Sequence, residues 1–416
     1  MEGTYDKDLH KMVFPIERMF TLRNTEDHRR HQQASTYKAP LFGIKGMTPL
    51  SSILTLPSCV PYDVMHLVYL TTARNLLTVI VEKKLVDINS LSSLITVMKV
   101  PHWFRRRPRR LDELCLWKSQ EHKLFLLYFS PFCFYSMYKD NITRVGKQLA
   151  IVYLLFSSFM CALSSESIGS ESIRCSRKII FLFQTTMKSI FGAGVLTGSL
   201  HALHHLPSQV ENFGSLPATS ATVFENVNRF LKRSVTGKKR QGKQIVHRFL
   251  QMQMNATAPK RKPHVEILRF CTNDVGRELE QCFSIDPVDC RFISKVRVGM
   301  NVFHSYVYGN KFKSASHYAY LDLENEFVKL KSIFVHNGEI KCLCRTYLVS
   351  EPLSHRFIED LPSNFFHHLK KISYHFFLRK SDLKLYPVNL LSRHSIVTKA
   401  SGEYFGVKVI QDNEHE

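Results

Sequence analysis

The sequence predicts an α+β protein: a mainly α-helical N-terminal body, then a small antiparallel β-rich C-terminal domain. Three observations carry this. Apolar residues recur with a helical period through the first half and with a period of two after residue 263. A proline-bounded basic stretch, Pro259-Lys260-Arg261-Lys262-Pro263, lies where the period changes. An Asn337-Gly338 pair sits between two alternating runs, the pattern of a two-residue hairpin loop.

The elements follow in order. Residues 1–60 are punctuated by Pro40, Gly43, Gly46, Pro49 and Pro57 and read as an irregular segment. Residues 64–85 place Val64, Leu67, Val68, Leu76, Leu77, Ile80 and Val81 at helical spacing. Further helices are expected over 90–97, 121–138, 148–163, 176–191, 200–206 and 220–234, with Pro131 breaking the second of these. This gives a helical region over 61–235, a basic linker over 236–263 and a β-rich domain over 264–416. Strands are expected over 291–298, 302–308, 327–335, 340–345, 374–378, 384–390 and 404–410. Residues 148–165 carry no charge, but eighteen residues is the lower limit for a membrane span and four of them are serine. A buried core helix is the expectation there, with no membrane association.

Composition narrows the class. In 416 residues, 44% are apolar and 22% charged, which provides for a sizeable core and excludes wholesale disorder. Ten cysteines without a Cys-x-x-Cys pair favour neither a disulfide framework nor a zinc ribbon. The first fifteen residues are charged throughout and show no signal peptide, so a reducing intracellular setting is expected. There is no P-loop, no G-x-S-x-G and no G-x-G-x-x-G.

The formal charge of +22 points to a polyanionic partner. Its distribution is uneven. Residues 229–262 hold eleven Lys or Arg and no Asp or Glu, whereas residues 263–416 are nearly balanced. Arg229, Lys232, Arg233, Lys238, Lys239, Arg240, Lys243, Lys260, Arg261 and Lys262 are therefore candidate phosphate contacts. A second cluster, Arg105, Arg106, Arg107, Arg109 and Arg110, is a candidate of the same kind, or a solvated loop. Asp63-x-x-His66, the pair His201 and His205, and Glu225 are the candidates for acid–base or metal chemistry. A structural polar cluster is the alternative for them.

Several motifs in order carry a family resemblance. They are Tyr62-Asp63-Val64-Met65-His66-Leu67, then Pro101-His102-Trp103-Phe104-Arg105-Arg106-Arg107-Pro108-Arg109-Arg110 with Trp117-Lys118-Ser119-Gln120-Glu121 and Phe125-Leu126-Leu127-Tyr128. Leu200-His201-Ala202-Leu203-His204-His205-Leu206 and Ser220-Ala221-Thr222-Val223-Phe224-Glu225-Asn226 follow. Together they resemble the transposases of the CACTA (En/Spm-type) group of cut-and-paste DNA elements. The resemblance implies an RNase-H-like core with a D-D-E triad holding two divalent metals, Mg²⁺ or Mn²⁺. Glu225 would be the last triad member, Asp63 and His66 its accompanying D-x-x-H motif, and the helical body mainly the family's insertion. The family's two strand-borne aspartates lie upstream of the matched region and have no counterpart here.

The resemblance thus implies a transposable-element-derived remnant, catalytically inactive, in the nucleus or in nucleus and cytoplasm, with residual non-specific DNA binding. It would need no cofactor unless a complete catalytic site were assembled, and its further partners would be itself or a full-length transposase. Two alternatives differ in class: a fragment of an active transposase whose aspartates lie in another exon or chain, and a membrane-associated protein.

Overall fold

The computed structural model describes residues 3–8, 10–16, 23–104, 106–140, 142–255, 264–271, 276–309, 315–400 and 402–410. The chain opens with a short hairpin, β1 (Thr4–Asp6) and β2 (Lys11–Val13), and helix α1 (Thr25–Ala34). A π-helical stretch, Met65–Ala73, runs into α2 (Arg74–Glu82), and α3 (Ile88–Val97) follows. Next come α4 (Ser119–Leu124), a second π-helical stretch (Phe125–Phe129), α5 (Ser130–Asp140), α6 (Arg144–Ser164) and α7 (Ser170–Phe191). Then follow α8 (Gly198–Ala202), α9 (Leu206–Phe213), α10 (Thr222–Ser234) and α11 (Gln241–Asn255).

The remainder is mostly sheet: β3 (Val265–Phe270), β4 (Arg291–Val298), β5 (Asn301–His304), β6 (Tyr318–Leu321), β7 (Glu326–His336) and β8 (Glu339–Pro352). The last strands are β9 (His375–Pro387), β10 (Arg393–Ala400) and β11 (Glu403–Lys408). Helices α12 (Gly276–Phe283), α13 (Tyr306–Gly309) and α14 (Ser363–Lys371) lie between them. The class is mixed helix and sheet, as the periodicities imply.

The chain forms two compact units, and both are discontinuous. One contains Met1–Asp87, Trp117–Ser220 and Phe357–Ile372, the other Ile88–Leu116, Ala221–Arg356 and Ser373–Glu416. Residues 88–116 and α10 therefore belong with the sheet, and α14 belongs with the helices.

The helical unit is built around α6. Thr143 caps it, its hydroxyl accepting from Gly146 N at 3.0 Å, and every residue from Leu149 to Ser164 is buried. The helix is long and apolar enough to cross a membrane. In this unit, however, it is the central core helix, packed by α5 and α7, as its serines suggest. Phe134 stacks on Tyr153 at 4.1 Å, and Phe156 meets Phe183 at 4.7 Å.

The expected break at Pro131 does not occur. The helix runs from α4 through the π-helical turn into α5 with Pro131 as its second residue. Proline lacks an N–H, and the π-helical turn shifts the pairing so that Ser130 N donates to Phe125 O. The carbonyls left over find serines: Ser130 Oγ donates to Leu126 O at 3.0 Å, and Ser157 Oγ, from α6, donates to Leu127 O at 2.9 Å. Ser157 is fully buried. Ser157→Ala removes this hydroxyl donor, beside which Cys161 Sγ lies at 3.7 Å from the same carbonyl. We expect unfolding in urea to show a loss of about 1–2 kcal/mol.

Residues 1–60 are not wholly irregular. Helix α1 is too polar to show an apolar period, yet Asn24 caps it, its side chain accepting from Asp27 N at 2.7 Å.

In the sheet unit all strand pairings are antiparallel among the described residues. The order β7-β6-β10-β11-β9-β8 closes, because β8 pairs back with β7. This makes a six-stranded barrel, extended beyond β7 by β4 with β3 and β5. Asn337 and Gly338 have φ of 50° and 79°, the two positive values the predicted tight hairpin requires. Residues 302–308 differ from expectation: β5 ends at His304 and α13 follows. Residues 374–390 form essentially one long strand in place of two.

All six barrel strands contribute to one cluster, so it fills the interior: Tyr318 and Tyr320, Phe327, Tyr347 and Val349, Phe376 and Leu378, Val397 and Tyr404. The outer faces of β4 to β8 form a second core around Val296, Phe303, Val328 and Ile333. Gly406 faces inward, where a Cβ would come within 2.6 Å of Leu378 Cδ1 and 2.9 Å of Phe327 Cε1. We expect Gly406→Val to overpack the barrel and lower its thermal midpoint, at a cost of about 1–3 kcal/mol.

Candidate nucleic-acid interface

The basic connector is not a linker throughout. Its central part is helix α11, which with α10 forms a helix pair joined at residues 235–240. The prolines that argue against helix lie at 259 and 263; residues 256–263, including Lys260, Arg261 and Lys262, are outside the described residues. Ile245, Val246, Phe249 and Leu250 stand at helical spacing within residues 241–255, but the basic clusters and prolines that flank them pull the reading toward loop.

One side chain organises the basic turn. Gln244, in the first turn of α11, accepts from Thr236 N at 2.8 Å and donates to Gly237 O at 3.1 Å and Lys239 O at 2.8 Å. A single amide thus straps the loop and leaves Lys238, Lys239 and Arg240 exposed on it. Arg240 holds φ at 55°, a left-handed conformation that the strap stabilises. Lys243 follows in the first turn of α11, and Arg229, Lys232 and Arg233 share one face of α10 by their spacing of three and four. No carboxylate partner accompanies these seven cations among the described residues. The start of α11 adds free backbone N–H groups beside the loop cations. Phosphate oxygens are the chemistry this surface suits. The sequence pointed to the cations but not to Gln244, whose role only the folded turn reveals. Were this surface to hold duplex DNA, Gln244→Ala should loosen the turn and weaken that binding about threefold in a fluorescence anisotropy titration, without changing the charge.

The second arginine cluster behaves differently. Arg105 is outside the described residues. Arg107 donates to Met98 O and Arg109 to Leu116 O, and Arg109 also pairs with Glu113 at 3.6 Å. Arg110 meets Asp112 and Asn89, each at 3.2 Å. These three brace the 98–116 segment, and Arg106 alone is exposed without such a partner among the described residues.

The acid–base candidates fall into both units. Asp63 precedes the first helical run and acts as its cap: its carboxylate accepts from Met65 N at 3.2 Å and His66 N at 3.1 Å and pairs with the His66 ring. His201 and His205 are brought together as their spacing predicts, centroids 5.4 Å apart, and Tyr62 stacks on His205 at 5.6 Å. Burial, then the neighbouring His205, pulls His201 down to about 4; burial likewise holds His204 at about 4. Both are neutral at neutral pH. Glu225 belongs to the sheet-bearing unit, exposed in the first turn of α10, where a carboxylate suits the helix dipole.

Two divalent cations need several carboxylates with free oxygens. The oxygens of Asp63 are already engaged in capping, and among the described residues no group of three His, Cys, Asp or Glu is placed to hold a metal ion. The described residues do not fit a two-metal site. No family model, no curated protein and no solved structure matches the chain.

Proposed function

We propose that this chain is a transposable-element-derived protein, the remnant of a cut-and-paste transposase of the CACTA type. In this reading it binds DNA without sequence preference through α10 and α11 and does not cleave strands. The observation that carries DNA binding is the array of seven exposed, carboxylate-free cations on and beside the Gln244-strapped turn. The ordered motif series from Tyr62 to Asn226 supports the transposase ancestry. Residues 61–235 then derive largely from the helical insertion of an RNase-H-like core, and Glu225 persists as a helix residue. Mg²⁺ or Mn²⁺ enters only if a full-length transposase supplies the missing aspartates. The nucleus is the matching location, and DNA the principal partner.

The test pairs a duplex-binding titration with a nicking and strand-transfer assay on element-end DNA with Mg²⁺ or Mn²⁺. Salt-sensitive binding without cleavage is expected. Cleavage that vanishes in Glu225→Gln would overturn the inactive reading, and absence of any duplex binding at low salt would overturn the reading as a whole.

A further inference from the structure

One end of the barrel interior gathers tyrosines and cations. Tyr318 on β6 lies opposite Lys329 on β7, and Lys329 lies opposite Arg345 on β8. Tyr347, two residues beyond Arg345, shares its face of β8. Tyr404 on β11 lies opposite Lys399 on β10. The rings touch in sequence: Tyr318 to Tyr347 at 6.5 Å and Tyr347 to Tyr404 at 5.4 Å. Lys399 sits over Tyr404 at 5.3 Å, and Lys329 over Tyr306, at the start of α13, at 3.2 Å. His317 extends the group, 5.1 Å from Tyr306.

The charges here are of one sign. Burial lowers the Lys329 amine, the Tyr306 hydroxyl opposes that by hydrogen bonding, and Lys331 and Lys99 push it lower. Burial pulls His317 down to about 3, with Lys329 and Lys99 acting the same way. No carboxylate figures among the charges acting on either group. Arg345 spends one N–H on Ser381 O at 3.1 Å, out of the five a guanidinium carries. A half-buried amine among other cations and hydroxyl donors lacks a counter-anion.

The wall behind this cluster is closed. Phe327 and Leu378 pack against Gly406 so tightly that no Cβ fits there. A polyanionic strand therefore cannot thread through the barrel at the level of Gly406. A monoester phosphate brings close to two negative charges and three acceptor oxygens on one terminal group. It matches three cations and neighbouring O–H donors.

We propose that this end of the barrel binds a terminal phosphate group, held by Lys329, Arg345 and Lys399 with tyrosine hydroxyls around it. The group can come from a free nucleotide or from the end of a nucleic-acid strand. The site does not involve α10 or α11 and stands independently of the transposase reading.

The experiment uses the full chain with Lys238, Lys239, Arg240 and Lys243 changed to alanine, which suppresses general DNA binding. Probes are inorganic phosphate, thymidine 5′-monophosphate, and one short single strand with and without a 5′-phosphate. We expect the phosphorylated probes to raise the thermal midpoint and to bind at least about tenfold more tightly than the unphosphorylated strand. Lys329→Met should remove that difference. Lys399→Gln, at an exposed position, should reduce it several-fold and keeps the test open if the first variant fails to fold. A phosphorylated strand binding more tightly than the nucleotide identifies a strand end; equal binding identifies a small phosphate ligand. Equal affinity for both strands with no response to phosphate or nucleotide overturns the proposal. So does a phosphate response undiminished in a folded Lys329→Met or Lys399→Gln variant.

Discussion

Urea will unfold the barrel unit at a much lower concentration at about pH 5 than at about pH 7.5. The cause is a set of histidines that the fold keeps neutral. Burial, and then neighbouring His102, pulls His394 down to about 3, even though backbone hydrogen bonds to Tyr318 and Val302 act the other way. His317 is held at about 3 by burial and Lys329, and His304 at about 4 by burial and His102. In the unfolded chain each titrates near 6.5. Above that value neither state takes the proton. Below it the unfolded chain binds protons that the folded barrel refuses, so stability is lost as pH falls from about 6.5 toward the folded values.

His394 and His317 are 1% and 4% exposed, so solvent screens their surroundings little. Each should cost about 2 kcal/mol by pH 5, at about 1.4 kcal/mol per pH unit. His304, 5% exposed and held at about 4, adds a similar amount. Together these approach the total stability of an ordinary domain, about 5–15 kcal/mol. His394→Phe should flatten the pH dependence by about one proton. A barrel transition whose midpoint does not move between the two pH values would show that these imidazoles are protonated in place. In the helical unit His122, brought to about 4 by burial and Arg74, adds a smaller effect of the same sign.

Duplex DNA binding should fall steeply with salt. Each phosphate neutralised contributes about −0.9 to the slope of log K against log salt. If about six of the seven cations on and beside the strapped turn make contact, the slope is near −5, and raising salt from about 50 to about 200 mM weakens binding roughly a thousandfold. Replacing Lys238, Lys239, Arg240 and Lys243 with alanine removes the strapped turn's contribution and should bring the slope to about −2. Anisotropy titrations with a labelled duplex of arbitrary sequence read both quantities. A slope unchanged in the variant would place the contacts elsewhere. The same variant should leave urea unfolding unaltered, since these side chains are exposed.

Much of the secondary structure was legible because burial imprints a period. The Asn337-Gly338 hairpin and the helices over 148–163 and 176–191 follow directly from pattern. What escaped has local physical reasons. Helix α1 carries hardly any apolar side chains, so only its cap announces it. Pro131 reads as a break because a sequence does not show that a π-helical turn and two serines will take over its hydrogen bonds. Helix α11 hides beneath charge and nearby proline. Of the candidate site, the cations of residues 229–243 are exposed as their charge implies, whereas Arg107, Arg109 and Arg110 have protein partners that no composition count reveals.

The sequence by itself determined the excess of positive charge, its concentration in one segment, and the change from helical to strand periodicity. These depend on residue type and spacing along the chain. Only the tertiary structure decided that the strands close into a barrel, because closure rests on β8 pairing with both β7 and β9. It also decided which cations meet tyrosines inside that barrel and which lie free on a helix pair. Strand register sets the first and solvent exposure the second, and neither is encoded in the order of residues alone.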